Sequence, residues 1–331
     1  MNKNIYYQIP RYLLALIFSN QRRNSKYSAT KTELKKGFYF TVEIPATNII
    51  LKIPFKAVLK DNTKIKGIKG FNFSSATHCR SYHLGYCQIK NKCDCYAVVG
   101  EERNKNDINQ DGTLKINSLH QIKLNMLFNN KIKQDSKLLN QFITYLNQTV
   151  KYLRFNVNGD FRNAEDVQLL KQIVKNYNGI SYGYTAADYL YKDLQELKQY
   201  TAINGSNLKY TNRYKVTYLL SEYYQAILNN RNCLGGCINC CKCWKLQNVE
   251  ILNLFHKKDA DVILNTPANQ EFITALLRNH NITIYPKDLK LKGIYSSINH
   301  HLKQYNKDLQ KQDINNIKDL LNHLAKKKGA D

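Results

Sequence analysis

Near the amino terminus, hydrophobic and polar positions follow a pattern that predicts strands. Residues Tyr39–Ile44 and Ile49–Phe55 alternate with a period of two, which is typical of strands that bury one face. The run Arg11–Ser19 is mostly apolar but too short to cross a bilayer, so it predicts a buried strand or the first turns of a core helix. We expect residues 1–70 to form a strand-rich N-terminal segment.

The middle of the chain alternates between the periods of strands and helices, interrupted by a polar stretch at residues 102–113 that predicts an exposed loop. The predicted strands are Gly70–Ser74, Tyr152–Asn158, Ile180–Thr185, Thr201–Ile203 and Lys215–Leu220. The predicted helices are Ser136–Val150, with Ser136 as N-cap, Ala164–Asn176 and Tyr189–Tyr200. This succession predicts an α/β core over residues 71–247, with a parallel sheet that is open or wrapped into a barrel.

The last part of the chain, residues 248–331, predicts a separate and mostly helical extension that ends in a basic tail. Helical spacing is found over Gln270–Asn279, Tyr295–Gln310 and Ile314–Lys327.

Composition and charge narrow the class of protein. The chain has 331 residues, 43% of them hydrophobic, which suffices for a large core without disulfides. No secretory signal is visible, so we expect a cytoplasmic protein with reduced cysteines and no membrane partner. The formal charge of +25 favours a nucleic acid or nucleotide as partner. However, 40 of the 50 basic residues are Lys, and an AT-rich genome would raise the charge without a binding role.

All nine cysteines lie in two short segments, which is the usual arrangement for binding a metal ion or an iron–sulfur cluster. The second cysteine segment, residues 233–243, is the more regular of the two. Its Cys-x3-Cys-x2-Cys-x2-Cys spacing is formed by Cys233, Cys237, Cys240 and Cys243, with Cys241 as an additional thiol. Four thiolates suit tetrahedral zinc or a [4Fe–4S] cluster, and the alternative is a set of reduced free thiols.

The first cysteine segment, residues 79–95, has irregular spacing. It contains Cys79, Cys87, Cys93 and Cys95, and the flanking imidazoles of His78 and His83 are further candidate ligands. Cys79, Cys87 and Cys95 could hold a cluster, with Cys93 as a spare or substitute ligand. Three ligands would leave a coordination position open for catalysis, whereas four would close a structural site, and structural or free thiols remain the alternative.

Polar residues at two predicted strand ends are the candidate catalytic groups. Asp160 follows a strand directly, and Thr185 ends the next one. Carboxyl ends of parallel strands meet at one edge of a sheet, where active sites form. The alternative for Asp160 is a turn residue that caps the following helix, and Tyr184 could be a core residue.

Taken together, these segments resemble a phage and plasmid family of uncharacterised proteins known as gene product 88. The resemblance covers about residues 65–245 and consists of five motifs in order. They are Phe71–Ser74, Cys95-Tyr96-Ala97, Gly159-Asp160-Phe161, Tyr184-Thr185 and Cys240–Trp244. The chain departs from the family at Arg80, Ala186, Leu234 and Gly236, and Ala186 replaces a lysine, which puts a cation there in doubt.

The same layout is similar, more distantly, to the radical S-adenosylmethionine superfamily. That resemblance implies a full or partial (β/α) barrel with a [4Fe–4S] cluster at its carboxyl mouth. One iron would chelate S-adenosylmethionine, whose reductive cleavage would produce a 5′-deoxyadenosyl radical. On this interpretation Tyr96, Asn158 and Tyr184 contribute to cofactor binding.

Three hypotheses follow. The first is an iron–sulfur enzyme of a phage or mobile element, with one or two clusters or one cluster and a zinc ion, that modifies a nucleic acid or nucleotide. The second is a non-enzymatic, zinc-stabilised nucleic-acid-binding protein. The third is a degenerate barrel that keeps the scaffold and the metal but serves as an interaction module.

Overall fold

The computed structural model describes residues 9–22, 25–45, 47–61, 67–86, 88–89, 92–93, 97–98, 106, 108, 114–206, 210–217, 219, 221–222, 225–226, 229, 231, 233, 241–254, 267–269 and 271–272. The helices are α1 Arg11–Gln21, α2 Lys31–Lys36, α3 Arg80–His83, α4 Ser118–Gln134, α5 Ser136–Thr149, α6 Ala164–Lys175, α7 Tyr191–Leu197 and α8 Lys242–Lys245. The strands are β1 Tyr39–Glu43, β2 Ile50–Pro54, β3 Lys60–Asp61, β4 Ile68–Phe71, β5 Gln88–Ile89, β6 Lys92–Cys93, β7 Tyr152–Phe155, β8 Ile180–Thr185, β9 Ala202–Ser206, β10 Asn212–Thr217 and β11 Glu250–Leu254.

A mainly parallel sheet organises the α/β core. Its seven strands lie in the order β11-β10-β9-β8-β7-β4-β3. Strands β4, β7, β8, β9 and β10 are parallel neighbours, and the short β3 pairs antiparallel with β4. The chain thus adds each parallel strand on the same side of the previous one, without the reversal of order that marks a doubly wound sheet. No pairing among the described strands closes the sheet.

One side of this sheet, the helix-covered face, is apolar. Register places Phe71, Phe155 and Gly183 on it, because parallel partners point to the same side. Phe71 and Phe155 belong to one buried cluster with α5 and α6 residues such as Phe142 and Leu170. A Cβ at Gly183 would overlap the ring of Phe155, so only glycine lets that ring lie flat on β8.

The opposite side, the open face, is aromatic and polar. Register aligns Arg154 with Tyr182, Tyr184 with Asn204, and Asn204 with Asn212. None of these residues belongs to the buried cluster of the helix-covered face. The sheet therefore presents two surfaces of different chemistry.

The N-terminal segment packs on the same core. Strands β1 and β2 form an antiparallel pair, and the rings of Phe40 and Phe55 lie 4.8 Å and 5.7 Å from that of Phe128 on α4. Helix α2 begins with a capping box formed by Thr30 and Glu33 and ends at Gly37 in the left-handed region.

Several predicted elements are confirmed. Strand β8 has the predicted bounds, α5 and α6 end within one residue of them, and β1 and β2 fall inside the predicted runs. The Arg11–Ser19 run is a helix, with Leu13 and Leu16 buried. The coarse fold class, mixed α/β with a mainly parallel sheet, is also confirmed.

Other expectations are wrong in detail. The N-cap of α5 is Asp135 and not Ser136, because the Asp135 side chain accepts the N–H of Leu138. Strand β4 ends at Phe71, since the following residues turn toward the loop after β7. Residues 250–254, at the start of the extension expected to be mostly helical, form an edge strand of the central sheet.

Contacts divide the chain into two compact units, Met1–Lys215 with Leu234–Ile251, and Val216–Cys233 with Leu252–Asp331. In the second unit, the Cys233 N–H donates to the Leu252 carbonyl oxygen, and residues 267–269 and 271–272 are helical. The predicted helices Tyr295–Gln310 and Ile314–Lys327 lie outside the described residues. Within the described part of the chain, no helix is long and apolar enough to span a membrane.

Candidate functional site

The turn after β7 has a backbone that the sequence dictates. Gly159 has a φ of +70°, and a Cβ there would lie 2.5 Å from Ser74 Oγ. Asn156, the first residue past β7, also lies in the left-handed region at φ +53°, which asparagine tolerates better than most residues. The turn therefore packs tightly against the loop that follows β4.

Asp160 is buried at the carboxyl edge of the sheet, with 5% of its surface exposed. Five protein groups donate hydrogen bonds to its carboxylate. Those to Oδ1 are Asn156 Nδ2 at 3.0 Å, the Phe161 N–H at 2.9 Å and Thr185 Oγ1 at 2.8 Å. Those to Oδ2 are Ser81 Oγ at 3.0 Å and the Ala186 N–H at 2.7 Å. The backbone of Asp160 also exchanges two hydrogen bonds with Ser74 Oγ.

These contacts connect three parts of the chain at one carboxylate. The donors to the carboxyl group come from α3, the β7 turn and the end of β8, and Ser74 in the loop after β4 bonds the Asp160 backbone, so Asp160 holds these segments together. Burial raises the pKa of Asp160, and the donors, led by the Ala186 N–H, oppose that rise. The five donors occupy both carboxyl oxygens and fix the orientation of the group.

Asn156 carries an acceptor that the surrounding protein does not satisfy. Its Nδ2 donates to Asp160, but no donor among the described residues reaches its Oδ1, although the residue is only 6% exposed. Buried carbonyl oxygens nearly always have a partner. This orphaned oxygen at the carboxyl edge is therefore a position where a bound donor would be stabilised.

The first cysteine segment starts beside this edge. Cys79 is buried and directly precedes α3, whose Ser81 donates to Asp160. Ala97 and Val98, just beyond the segment, pack against Ala76, just before it. The described residues that flank the segment on its two sides are thus in contact.

The two histidines of this region have defined hydrogen bonds. Nδ1 of His78 lies 2.7 Å from Ser75 Oγ. Nε2 of His83 lies 2.9 Å from the Thr77 carbonyl oxygen, which requires the proton on Nε2. A backbone carbonyl that orients one ring nitrogen leaves the other as the candidate ligand, which is Nδ1 in His83.

The second cysteine segment reaches the open face of the sheet at its last cysteine. Cys243 is buried on α8, and its Sγ lies 2.9 Å from the Tyr184 hydroxyl. Asn204 Nδ2 donates to the Cys243 carbonyl oxygen at 3.2 Å and to Gly183 O at 3.0 Å. Asn212 Nδ2 in turn donates to Asn204 Oδ1 and to Leu246 O. Neighbouring strands thus hold both the side chain and the backbone of this segment.

Aromatic rings complete the open face around Cys243. Trp244 packs on Tyr182 and Tyr152, with ring centroids 4.7 Å and 5.8 Å away. The Arg154 guanidinium lies 4.8 Å from the Tyr184 ring centroid. Burial raises the pKa of Tyr184, so its hydroxyl keeps its proton and can donate to the sulfur.

The structure describes only some of the remaining predicted site residues. The Oδ1 of Asn158 accepts from Lys60 Nζ, and its N–H donates to Asn72 Oδ1. Tyr96, Cys87, Cys95, Cys237 and Cys240 lie outside the described residues, and only the backbone of Cys93, on β6, is described. Among the described residues, no group of three or more His, Cys, Asp or Glu side chains could hold a metal ion.

Sequence reasoning missed the supporting polar residues of the site. Ser74, Asn156, Asn204 and Asn212 stand in or beside strands, where asparagine and serine are unusual, and Ser81 is buried on the short helix α3. Polar residues at predicted strand positions were the available signal, because a buried amide or hydroxyl must find a partner.

Comparisons with known proteins identify no family. No protein-family model matches the chain, and no curated protein or solved structure matches it.

Proposed function

We propose that this protein is a cysteine-ligated metalloprotein on a partial (β/α) barrel, acting on a nucleic acid or nucleotide. The observation that carries the proposal is the anchoring of both cysteine segments to the central strands. The first is tied to the carboxyl edge through Ser81 and Asp160. The second is tied to the open face through Asn204 and Tyr184.

The strand order supports the barrel part of the proposal. Parallel strands that are added successively on one side, with right-handed crossovers, place all connecting helices on one face. In a barrel that face is the outside, and the opposite face lines the interior. The open face, with Arg154, Tyr182, Tyr184 and Asn204, would then be the interior wall.

The donor set fits a thiolate-bound metal. A hydroxyl directed at the Cys243 sulfur is the kind of outer-shell contact that stabilises a metal-bound thiolate. In the proposal, one metal ion or cluster is bound by Cys79, Cys87 and Cys95, with Cys93 as a spare or substitute ligand. A second is bound by Cys233, Cys237, Cys240 and Cys243. A [4Fe–4S] cluster bound in the first segment would supply electrons to S-adenosylmethionine.

The protein residues have separate roles in this proposal. Asp160 is a positioning residue, since its carboxylate is occupied by donors from the strand ends. Thr185 fixes the Asp160 carboxylate at the end of β8. Asn156 offers its orphaned Oδ1 to a donor on the ligand, such as an amino group. Arg154 holds a positive charge on the open face, which suits a phosphate or carboxylate.

A second candidate function is a zinc-stabilised nucleic-acid-binding protein without catalysis. The engaged carboxylate of Asp160 favours it, because such a group is not free to transfer protons. Trp244 and Cys243 also cover part of the open face. Closed four-cysteine sites would then contribute folding free energy alone.

Metal and sulfide analysis of oxygen-free protein tests the proposal. Iron with acid-labile sulfide, and a visible absorption bleached by dithionite, would support the iron–sulfur function, and S-adenosylmethionine cleavage would then be assayed. Stoichiometric zinc without sulfide, even after attempted cluster reconstitution, would reject the enzyme in favour of the second candidate. Protein that binds neither metal would contradict both.

A further inference from the structure

A cluster of aromatic and cationic side chains lies beside the carboxyl edge and has no part in the site described above. It consists of Arg80, Tyr86 and Tyr189. The Arg80 guanidinium lies 4.5 Å from the centroid of the Tyr189 ring. The ring of Tyr86 is nearly parallel to that of Tyr189, with an interplanar angle of 22° and centroids 6.4 Å apart.

These side chains are held in place and yet reach solvent. The Tyr189 hydroxyl donates to the Phe161 carbonyl oxygen at 2.6 Å, which fixes the ring against the β7 turn. The Tyr86 N–H donates to the Ser81 carbonyl oxygen at 2.9 Å. Tyr86 nevertheless keeps 40% of its surface exposed, and Arg80 is exposed as well. Rigid aromatic rings with free surface lose little entropy when a flat ligand stacks on them.

The position of the cluster connects it to the carboxyl edge. Ser81, which donates to Asp160, directly follows Arg80 and accepts at its carbonyl from Tyr86. A ligand that stacks on these rings would therefore lie next to the strand ends. Two residues after Tyr189, Tyr191 exposes 51% of its surface and packs on Tyr210.

We propose that Arg80, Tyr86 and Tyr189 form a stacking site for an unpaired base of a single-stranded nucleic acid. Every base has a flat π-face that stacks on tyrosine, and the phosphates beside it complement a guanidinium. The charge of +25 agrees with a polyanion better than with a peptide of neutral or basic character. The inference rests on the proposed function in one respect only, namely that the partner is a nucleic acid or nucleotide.

Fluorescence anisotropy with two labelled oligonucleotides of equal length tests this site on the full chain at fixed ionic strength. One is oligothymidine, and the other is the same sugar–phosphate chain without bases. Equal numbers of phosphates make the background from the basic surface the same for both. We expect the wild-type protein to bind oligothymidine at least about tenfold more tightly, because stacking is absent from the abasic strand.

Tyr86→Ala is expected to weaken oligothymidine binding on the order of tenfold to a hundredfold and to leave abasic binding unchanged. Tyr86→Phe keeps the ring and should bind as the wild type does. Tyr39→Ala is the matched control, because Tyr39 also lies under a cation, with Lys52 Nζ 5.4 Å from its ring centroid, but on the N-terminal hairpin. Arg80→Gln should weaken both strands alike and reduce the slope of log affinity against log salt by about 0.7.

Equal wild-type affinity for the two strands would overturn the stacking site, as would wild-type binding by Tyr86→Ala or no binding of either strand. Metal analysis of the same samples separates the two proposals. If the protein contains no metal and Tyr86→Ala still weakens oligothymidine binding, the stacking site is supported and the metal proposal is rejected. If the protein contains metal and Tyr86→Ala binds as the wild type does, the metal proposal is supported and the stacking site is rejected.

Discussion

The two faces of the central sheet use different interactions to hold what covers them. On the helix-covered face, Phe71 and Phe155 join a continuous apolar cluster with the helices. On the open face, Asn204 and Asn212 bind the backbone of the second cysteine segment through directed hydrogen bonds. Apolar burial is strong but tolerant of small shifts, whereas a satisfied amide accepts one geometry. The first face thus supplies stability, and the second supplies position.

The largest expected effect is a loss of stability on the helix-covered face of β7, compared with a smaller loss on its open face. Phe155→Ala should lower the free energy of unfolding by about 3–5 kcal/mol, because it removes a fully buried ring and leaves a cavity. Tyr152→Ala, three residues earlier on the open face, should lower it by only about 1–2 kcal/mol, since its ring is partly exposed and packs mainly on Trp244. Urea unfolding measures both, and equal losses would contradict the division of roles between the faces.

At the carboxyl edge, Asp160→Asn should destabilise the protein by about 2–4 kcal/mol, because an amide group in place of one oxygen leaves buried donors without an acceptor. The neighbouring exposed carboxylate provides a control, and Asp188→Asn should change stability by less than about 0.5 kcal/mol. An Asp160→Asn protein as stable as the wild type would show that the carboxyl group does not hold the strand ends together.

On the open face, Asn204→Ala should cost about 1–3 kcal/mol, since Gly183 O and Cys243 O lose their donor. It should also release the second cysteine segment, so that Cys243 alkylates faster with iodoacetamide under native conditions, as followed by peptide mass spectrometry. Asn140→Ala, at an exposed position of α5, serves as control. Unchanged alkylation of Cys243 in the Asn204 variant would mean that the asparagines do not position this segment.

The smallest expected effect is the pH dependence of stability that an ionic contact, unlike a neutral one, produces. Asp166 at the start of α6 accepts from Arg162 and Lys133, and these partners, led by the Arg162 hydrogen bond, lower its pKa despite burial. A lowered folded-state pKa means that the unfolded chain binds the proton more readily. The stabilisation is therefore present above the ordinary aspartate pKa of 3.8 and is lost as the pH falls through the folded-state value.

Thermal unfolding of the wild type and Asp166→Asn between pH 6 and pH 3 measures this effect. The gap in stability between the two proteins should narrow as the pH falls. Glu165→Gln, whose side chain is 74% exposed, should show a pH dependence like that of the wild type. If the difference in stability between wild type and Asp166→Asn instead widens as the pH falls, the ionised Asp166 does not stabilise the folded protein.

Prediction from sequence succeeded where a helix has a regular apolar face or where glycine and a polar turn bound a strand. Helix α5 buries residues at helical spacing, and strand β8 follows Gly179 with a run rich in aromatic and β-branched residues, so the bounds of both were found within a residue. Helix α4 was missed because Asn125 and Asn129 are among its buried residues and interrupt the hydrophobic period. Strand β11 was assigned to a helical extension, since a short apolar run does not by itself distinguish a strand from a helix.

The site shows the same limit. The Gly159-Asp160-Phe161 turn could be located because glycine and aspartate after a strand are distinctive. Thr185 was placed at the same sheet edge as Asp160, and the two side chains are hydrogen-bonded. Ser74 and Ser81 could not be predicted as partners, because they reach Asp160 only through the strand order. The contact of Cys243 with Tyr184 depends in the same way on the return of the second cysteine segment to the open face.

Metal content per chain in four proteins purified without oxygen tests the central claim, that both cysteine segments bind metal. The wild type, Cys79→Ser, Cys243→Ser and Cys241→Ser would be analysed for iron, zinc and acid-labile sulfide. Cys241 is the matched control, because it lies two residues from Cys243 but outside the ligand spacing. The account predicts that Cys79→Ser and Cys243→Ser each lose metal, and that Cys241→Ser retains the wild-type amount. Equal metal content in all four proteins, or none in the wild type, would contradict it.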